Sequence, residues 1–143
     1  MSDLFSGGGK GTREVEVPNV NSSDSSNDIL LWYTSPTLPP NSEVLLSCSW
    51  GDQGWGNRKG ALYARLQGVR KWVIITEERA PHDKTHVSFP VPTEVFNVDG
   101  YAVPMKLELG YIVGGGGGHQ LKVDSAKLTI TFSQAIVHTM VSL

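Results

Sequence analysis

The sequence predicts an all-β protein, an antiparallel β-sandwich or jelly roll of about eight to nine strands. Three observations predict it. Apolar and polar residues alternate in short runs with a period of two, as half-buried strands require. Turn residues punctuate those runs, with 16 glycines and 8 prolines in 143 residues, too many for long helices. No segment carries apolar residues at helical spacing, and the length fits one domain at roughly 100–200 residues per domain.

Residues 1–27 read as a leader that is flexible or ordered by a partner. The runs 6–9 (SGGG) and 21–27 (NSSDSSN) are polar and flexible in composition. Between them, residues 13–18 (REVEVP) alternate like an edge strand that Pro18 ends. The sandwich itself is expected over residues 28–132. Residues 29–33 (ILLWY) form a short apolar strand, and residues 34–40 (TSPTLPP) a stiff turn segment. In residues 42–50, Val44, Leu46, Cys48 and Trp50 share one face, with Glu43, Leu45, Ser47 and Ser49 on the other. After a loop over 51–60, Leu62, Ala64 and Leu66 point inward and Tyr63 and Arg65 outward. Residues 72–76 form a β-branched strand, 79–84 a loop, and 86–91 a strand closed by Pro90 and Pro92. Met105, Leu107, Leu109, Tyr111 and Val113 alternate with Lys106, Glu108 and Gly110 in the longest clean strand. Glycines 114–118 interrupt it. Two strands follow, 120–123 and 127–132, the second with Leu128, Ile130 and Phe132 inward. Residues 133–143 are apolar to the last position and read as a further strand or a docking tail, because most domain ends are polar and frayed.

Charge and cysteine content exclude several classes. Lys and Arg number 12 against 14 Asp and Glu, a net charge of -2. A dedicated nucleic-acid binder shows a basic footprint instead, and an electrostatic membrane anchor a basic cluster. No apolar run approaches the ~20 residues that span a bilayer. Cys48 is alone, so it makes neither an intrachain disulfide nor a cysteine-rich zinc site. The first residues lack a basic stretch followed by an apolar one, so the expected location is intracellular, in the cytoplasm.

Catalytic patterns are absent. No Gly-x-Ser-x-Gly occurs, Cys48 lies on an inward face where thiols are inert, and no two acids are set to converge. Residues 7–12 (GGGKGT) fail as a phosphate loop, because Gly11 separates Lys10 from Thr12 and no helix pattern follows. The expectation is a protein with no catalytic residue and no cofactor.

The chemistry concentrates in Trp50-Gly51-Asp52-Gln53-Gly54-Trp55-Gly56-Asn57-Arg58-Lys59-Gly60. A sugar ring stacks its C–H face on an indole and takes directional hydrogen bonds from carboxylate and amide groups. The same residues also suit a folded loop whose Trp fills the core and whose Asp and Asn cap turns. The run Gly114-Gly115-Gly116-Gly117-Gly118-His119 is a weak phosphate motif, since a strand rather than a helix follows. It reads better as a backbone passing close to something bulky, such as Trp50 or Trp55, or as a hairpin tip. His119 would reach a ligand or the Asp52 carboxylate. His82, in Ala80-Pro81-His82-Asp83, sits in a third loop. His82 and His119 with Asp52 or Asp83 lack metal-ligand spacing, so no metal is expected.

Taken in order, Tyr33-Thr34-Ser35-Pro36, the 49–60 segment with its Asp-Gln-Gly-Trp core, Ala80-Pro81-His82 and the glycine run ending in His119 resemble small β-sandwich modules of the galactose-binding-like type. The resemblance covers about residues 28–132. It implies a jelly roll that holds any ligand in loops at one end.

Two functions follow. The first is a non-catalytic, lectin-like module that binds a glycan. Trp55 would be the stacking platform, Asp52, Gln53 and Asn57 the hydrogen-bonding groups, and His82 and His119 contributions from neighbouring loops. The second is a structural or assembly subunit that self-associates or docks into a larger complex through its leader and apolar tail. Its partner would be a further copy of the chain or another protein. Neither reading includes nucleic acid or a membrane.

Overall fold

The computed structural model describes residues 10–24, 26–98 and 105–133. They form nine strands: β1 (Lys10–Val17), β2 (Val20–Ser22), β3 (Leu30–Thr37), β4 (Glu43–Asp52), β5 (Ala61–Leu66), β6 (Val73–Ile74), β7 (Thr85–Pro90), β8 (Lys106–Ile112) and β9 (Leu121–Ser133). One short 3-10 turn, Thr93–Val95, is added. The strands make two antiparallel sheets. The first runs β1-β9-β4-β7, with β2 also on β9; the second runs β3-β8-β5-β6. The expected β-sandwich is therefore what the chain forms.

The core lies between the sheets and follows the alternation. Val44, Leu46, Cys48 and Trp50 of β4 and Leu121, Val123, Leu128 and Ile130 of β9 are buried against Leu62, Ala64 and Leu66 of β5 and Leu107 and Leu109 of β8. Each fully buried leucine contributes about 1.5–3 kcal/mol. Trp50 closes the core edge-to-face on Phe89, with ring centroids 5.7 Å apart.

The last two expected strands are one bulged strand. Ser47 pairs with Lys127 but Ser49 with Asp124, so Ser125 and Ala126 together face Cys48, and Ser125 takes φ 52°. The extra residue shifts the inward phase by one. Val123 and Ala126 are both buried, three apart rather than two.

The boundary expected at residue 28 is not where the sandwich begins. β1 and β2 pair with β9 in one continuous register, Lys10 with Ser133 and Val20 with Val123. They are one edge strand broken at Pro18, which has no N–H to donate to the ladder. The Pro18 carbonyl accepts a hydrogen bond from the Trp32 indole at 2.7 Å, tying this edge to β3 of the other sheet. The composition misled because an edge strand needs few apolar residues. Residues 1–9 and 134–143, which include most of the leader's glycines and nearly all of the apolar tail, lie outside the described residues.

β3 also runs past its expected end at Tyr33, through Pro36 to Thr37. An outer strand tolerates proline, and the Ser35 hydroxyl replaces a lost ladder partner by accepting from the Leu107 N–H at 2.9 Å. β6 keeps only Val73 and Ile74 of the expected 72–76. On the outer face of the second sheet, Gly110 leaves room for Ile29 and Trp72. The Arg65 guanidinium stacks 3.9 Å above Trp72 and pairs with the buried Glu108 at 2.8 Å. Among the described residues no helix is long and apolar enough to cross a membrane.

Candidate functional site

The topology brings three loops to one end of the sandwich. Asp52, the last residue of β4, pairs with Leu121, the first of β9, and Trp50 pairs with Thr85, the first of β7. In the other sheet Ala61, the first residue of β5, pairs with Ile112, the last of β8. The 53–60, 75–84 and 113–120 connections therefore leave the sheets side by side. Backbone bonds join them: the Asp52 N–H donates to the Pro81 carbonyl and the Ala80 N–H to the Gly60 carbonyl, both at 2.8 Å.

Asp52 anchors this end from below. Its side chain is 1% exposed. One carboxylate oxygen accepts the Gly54 N–H at 2.8 Å, the Asx geometry of a turn. The His82 Nδ1 lies 2.9 and 3.1 Å from the two oxygens. His82 thus pairs with the Asp52 carboxylate, one of the two partners expected for His119, the other being a ligand. This buried, internally bonded carboxylate corrects the expectation that Asp52 offers its oxygens outward.

Gln53 is committed in the same way. Its Nε2 donates to the Trp55 carbonyl at 2.5 Å and the Asn57 carbonyl at 3.2 Å, while its Oε1 accepts the Gln120 N–H at 3.0 Å. One amide thereby shapes its own loop and ties it to the glycine loop. Arg58 and Lys59 act as ties as well. Arg58 Nε donates to the Ala80 carbonyl at 3.0 Å, and Lys59 Nζ to the Gly115 carbonyl at 2.8 Å. The Gly115 N–H in turn donates to Asn27 Oδ1 at 2.7 Å. No local sequence signal relates Asn27 to Gly115, 88 positions away.

Above this framework stand the exposed groups. Trp55 is 63% exposed, the most exposed large apolar side chain among the described residues. Its ring edge rests on Gly118: a Cβ there would stand 3.2 Å from Trp55 Cη2. Gly118 has φ 74°, a left-handed conformation that favours glycine. The glycine run thus lets the backbone pass beneath Trp55, while Trp50 is buried in the core. Asn57, two residues on from Trp55, is exposed, and His82 keeps 38% of its side chain exposed. His119 is half-buried, and its Nδ1 is buried without a hydrogen-bond partner. Among the described residues no three His, Cys, Asp or Glu side chains are grouped to hold a metal ion.

A concavity of about 670 Å³ runs from the 75–81 segment of this end along the open side of the sandwich, between the β6 and β7 edges. Trp50, Ile74, Val87 and Phe89 give it an apolar floor, with Arg58 and Glu77 at its border. Sequence periodicity carries no signal for it, because it depends on which strands end up at the edges.

No protein-family model matches the chain, and no curated protein matches it. Among solved structures, it is similar over 87% of its length to a chain in the structure of infectious bursal disease virus Gx strain, with a TM-score of 0.52 and 13% identity. It spans 32% of that chain. A family two carbohydrate esterase from Cellvibrio japonicus matches with a TM-score of 0.32 and 12% identity, over 87% of this chain and 34% of that one. The likeness to the viral chain is one of fold, a β-sandwich of two antiparallel sheets.

Proposed function

We propose that the chain is a non-catalytic binding module that holds a glycan on the loop end of the sandwich. One observation carries the reading: Trp55, 63% exposed, is braced by its edge on Gly118 and held in a loop that the Asp52 and Gln53 side chains bond internally. Leaving a large indole in water forgoes about 1.5–3 kcal/mol of burial. A fixed aromatic face with exposed polar neighbours is what a pyranose stacks on. Exposed Asn57 and His82 would supply hydrogen bonds to the sugar, with His119 contributed by the glycine loop. Asp52 and Gln53 serve the site from beneath, by setting the loop that carries Trp55. The test is a glycan array probed with the wild-type protein and Trp55→Ala. Selective binding by the wild type and at least tenfold weaker binding by the folded variant are expected; equal binding by both refutes the reading.

The lateral concavity favours a second reading, an assembly subunit. β6 and β7 are sheet edges with unpaired backbone groups on either side of an apolar floor, and Ile74 is exposed there. On that reading the mass in solution rises with concentration and falls when Ile74→Lys is introduced or residues 134–143 are deleted. A monomer at every concentration excludes it.

A further inference from the structure

The glycine loop beside Trp55 holds two side-chain nitrogens around an unfilled position. Lys59 lays its stem along Gly114, where a Cβ would stand 2.5 Å from the lysine Cβ. Its ammonium is thereby brought to the loop, where it donates to the Gly115 carbonyl at 2.8 Å. An ammonium has three donors, and this bond takes one. Gly116 has φ 100° and no side chain. The point its Cβ would occupy lies 3.5 Å from Lys59 Nζ and 4.0 Å from His119 Nε2. The Nδ1 of His119 is buried and unpartnered. The Lys59 ammonium and the His119 Nε2 thus lie around one position, and the ammonium is charged. The Asp52 carboxylate is buried and bonded to Gly54 and His82, and no bond joins it to Lys59 or His119 among the described residues. Gly118, which supports Trp55, is two residues from Gly116, at most about 7 Å along the chain. One pyranose with its ring substituent covers that span.

Resting on the glycan reading above, we infer that the glycan is acidic: a hexuronic acid whose ring stacks on Trp55 and whose carboxylate sits over Gly116, between Lys59 Nζ and His119 Nε2. Charge-assisted hydrogen bonds of this kind are about twice as strong as neutral ones, so the carboxylate, not the ring, selects the sugar.

The experiment compares trigalacturonic acid with its methyl ester, which keeps the shape and removes the charge, and with neutral galactotriose. Binding is measured by calorimetry for the wild type, Lys59→Met, Lys59→Arg and Trp55→Ala. Lys59→Met keeps the stem on Gly114, and circular dichroism confirms each fold. The wild type should prefer the acid over the ester at least tenfold. Lys59→Met should bring the ratio of acid to ester affinity close to one, Lys59→Arg should restore most of it, and Trp55→Ala should weaken all three sugars. Equal wild-type affinity for acid and ester, or a preference that survives in Lys59→Met, overturns the inference while Trp55-dependent sugar binding stands. Binding of none of the three sugars overturns the inference, and a blank glycan array then removes the reading beneath it.

Discussion

Replacing Asp52 by alanine tests whether the loop end is built on its carboxylate. The variant loses the bond from the Gly54 N–H and the contact with His82, at 2.8 and 2.9 Å. A hydrogen bond to a charged acceptor contributes about 1.5–3 kcal/mol. The His82 contact counts for less, about 0.2–1 kcal/mol, because the ring is more than a third exposed and water screens it. Removing the buried carboxylate also removes its desolvation cost, which offsets part of the loss. The net expectation is about 2 kcal/mol, which moves the melting temperature of a domain this size by roughly 6–8 °C. Urea titration followed by circular dichroism measures it, and the midpoint should fall with the slope unchanged. Asp52→Asn keeps an oxygen for Gly54 and should lose less than half as much. If Asp52→Ala lies within about 0.5 kcal/mol of the wild type, the range of neutral surface changes, the carboxylate does not anchor the loop and the argument for a fixed Trp55 fails with it.

Other outcomes follow from the packing. Gly110→Ala places a Cβ 2.8 Å from Ile29 and 2.9 Å from Trp72, so it should cost about 1–3 kcal/mol by overpacking and change the near-ultraviolet signal of Trp72 as the ring lifts from its seat. An unchanged spectrum and midpoint would show that Trp72 is not seated there. Burial, aided by the negative charge of Asp124, pushes the Cys48 thiol up from 9.0 to about 12. At pH 8 it should resist a disulfide reagent in the folded protein and react at once in denaturant; fast native reaction would place it at the surface. Since the folded thiol holds its proton longer than the unfolded one, its contribution to stability is intact below about pH 9 and is lost as pH rises toward 12.

Where burial alternates cleanly, the strands are legible in the sequence. β4 and β5 were readable from Val44, Leu46, Cys48 and Trp50 and from Leu62, Ala64 and Leu66, because each strand has one face toward the core. β9 was read as two strands because the bulge at Ser125 shifts its phase, and a one-residue shift moves every later side chain to the other face. β1 resembled a leader because its outer side meets water. At the site, the sequence singled out the residues but not their duties. Asp52 and Gln53 have the composition of a binding loop, yet their hydrogen bonds point inward. Only the strand order, which no periodicity records, brings His82 to Asp52 and Lys59 to the glycine run.

The central claim is that Trp55 is the face on which a sugar stacks. It is tested most directly by following the four tryptophan indole N–H resonances by nuclear magnetic resonance. Galacturonic acid, galactose and N-acetylglucosamine would each be titrated into the protein to millimolar concentration. The account predicts that the Trp55 resonance shifts, most with galacturonic acid, while those of the buried Trp50, the Pro18-bonded Trp32 and the Arg65-covered Trp72 stay fixed. A Trp55 resonance that stays fixed with all three sugars would contradict it.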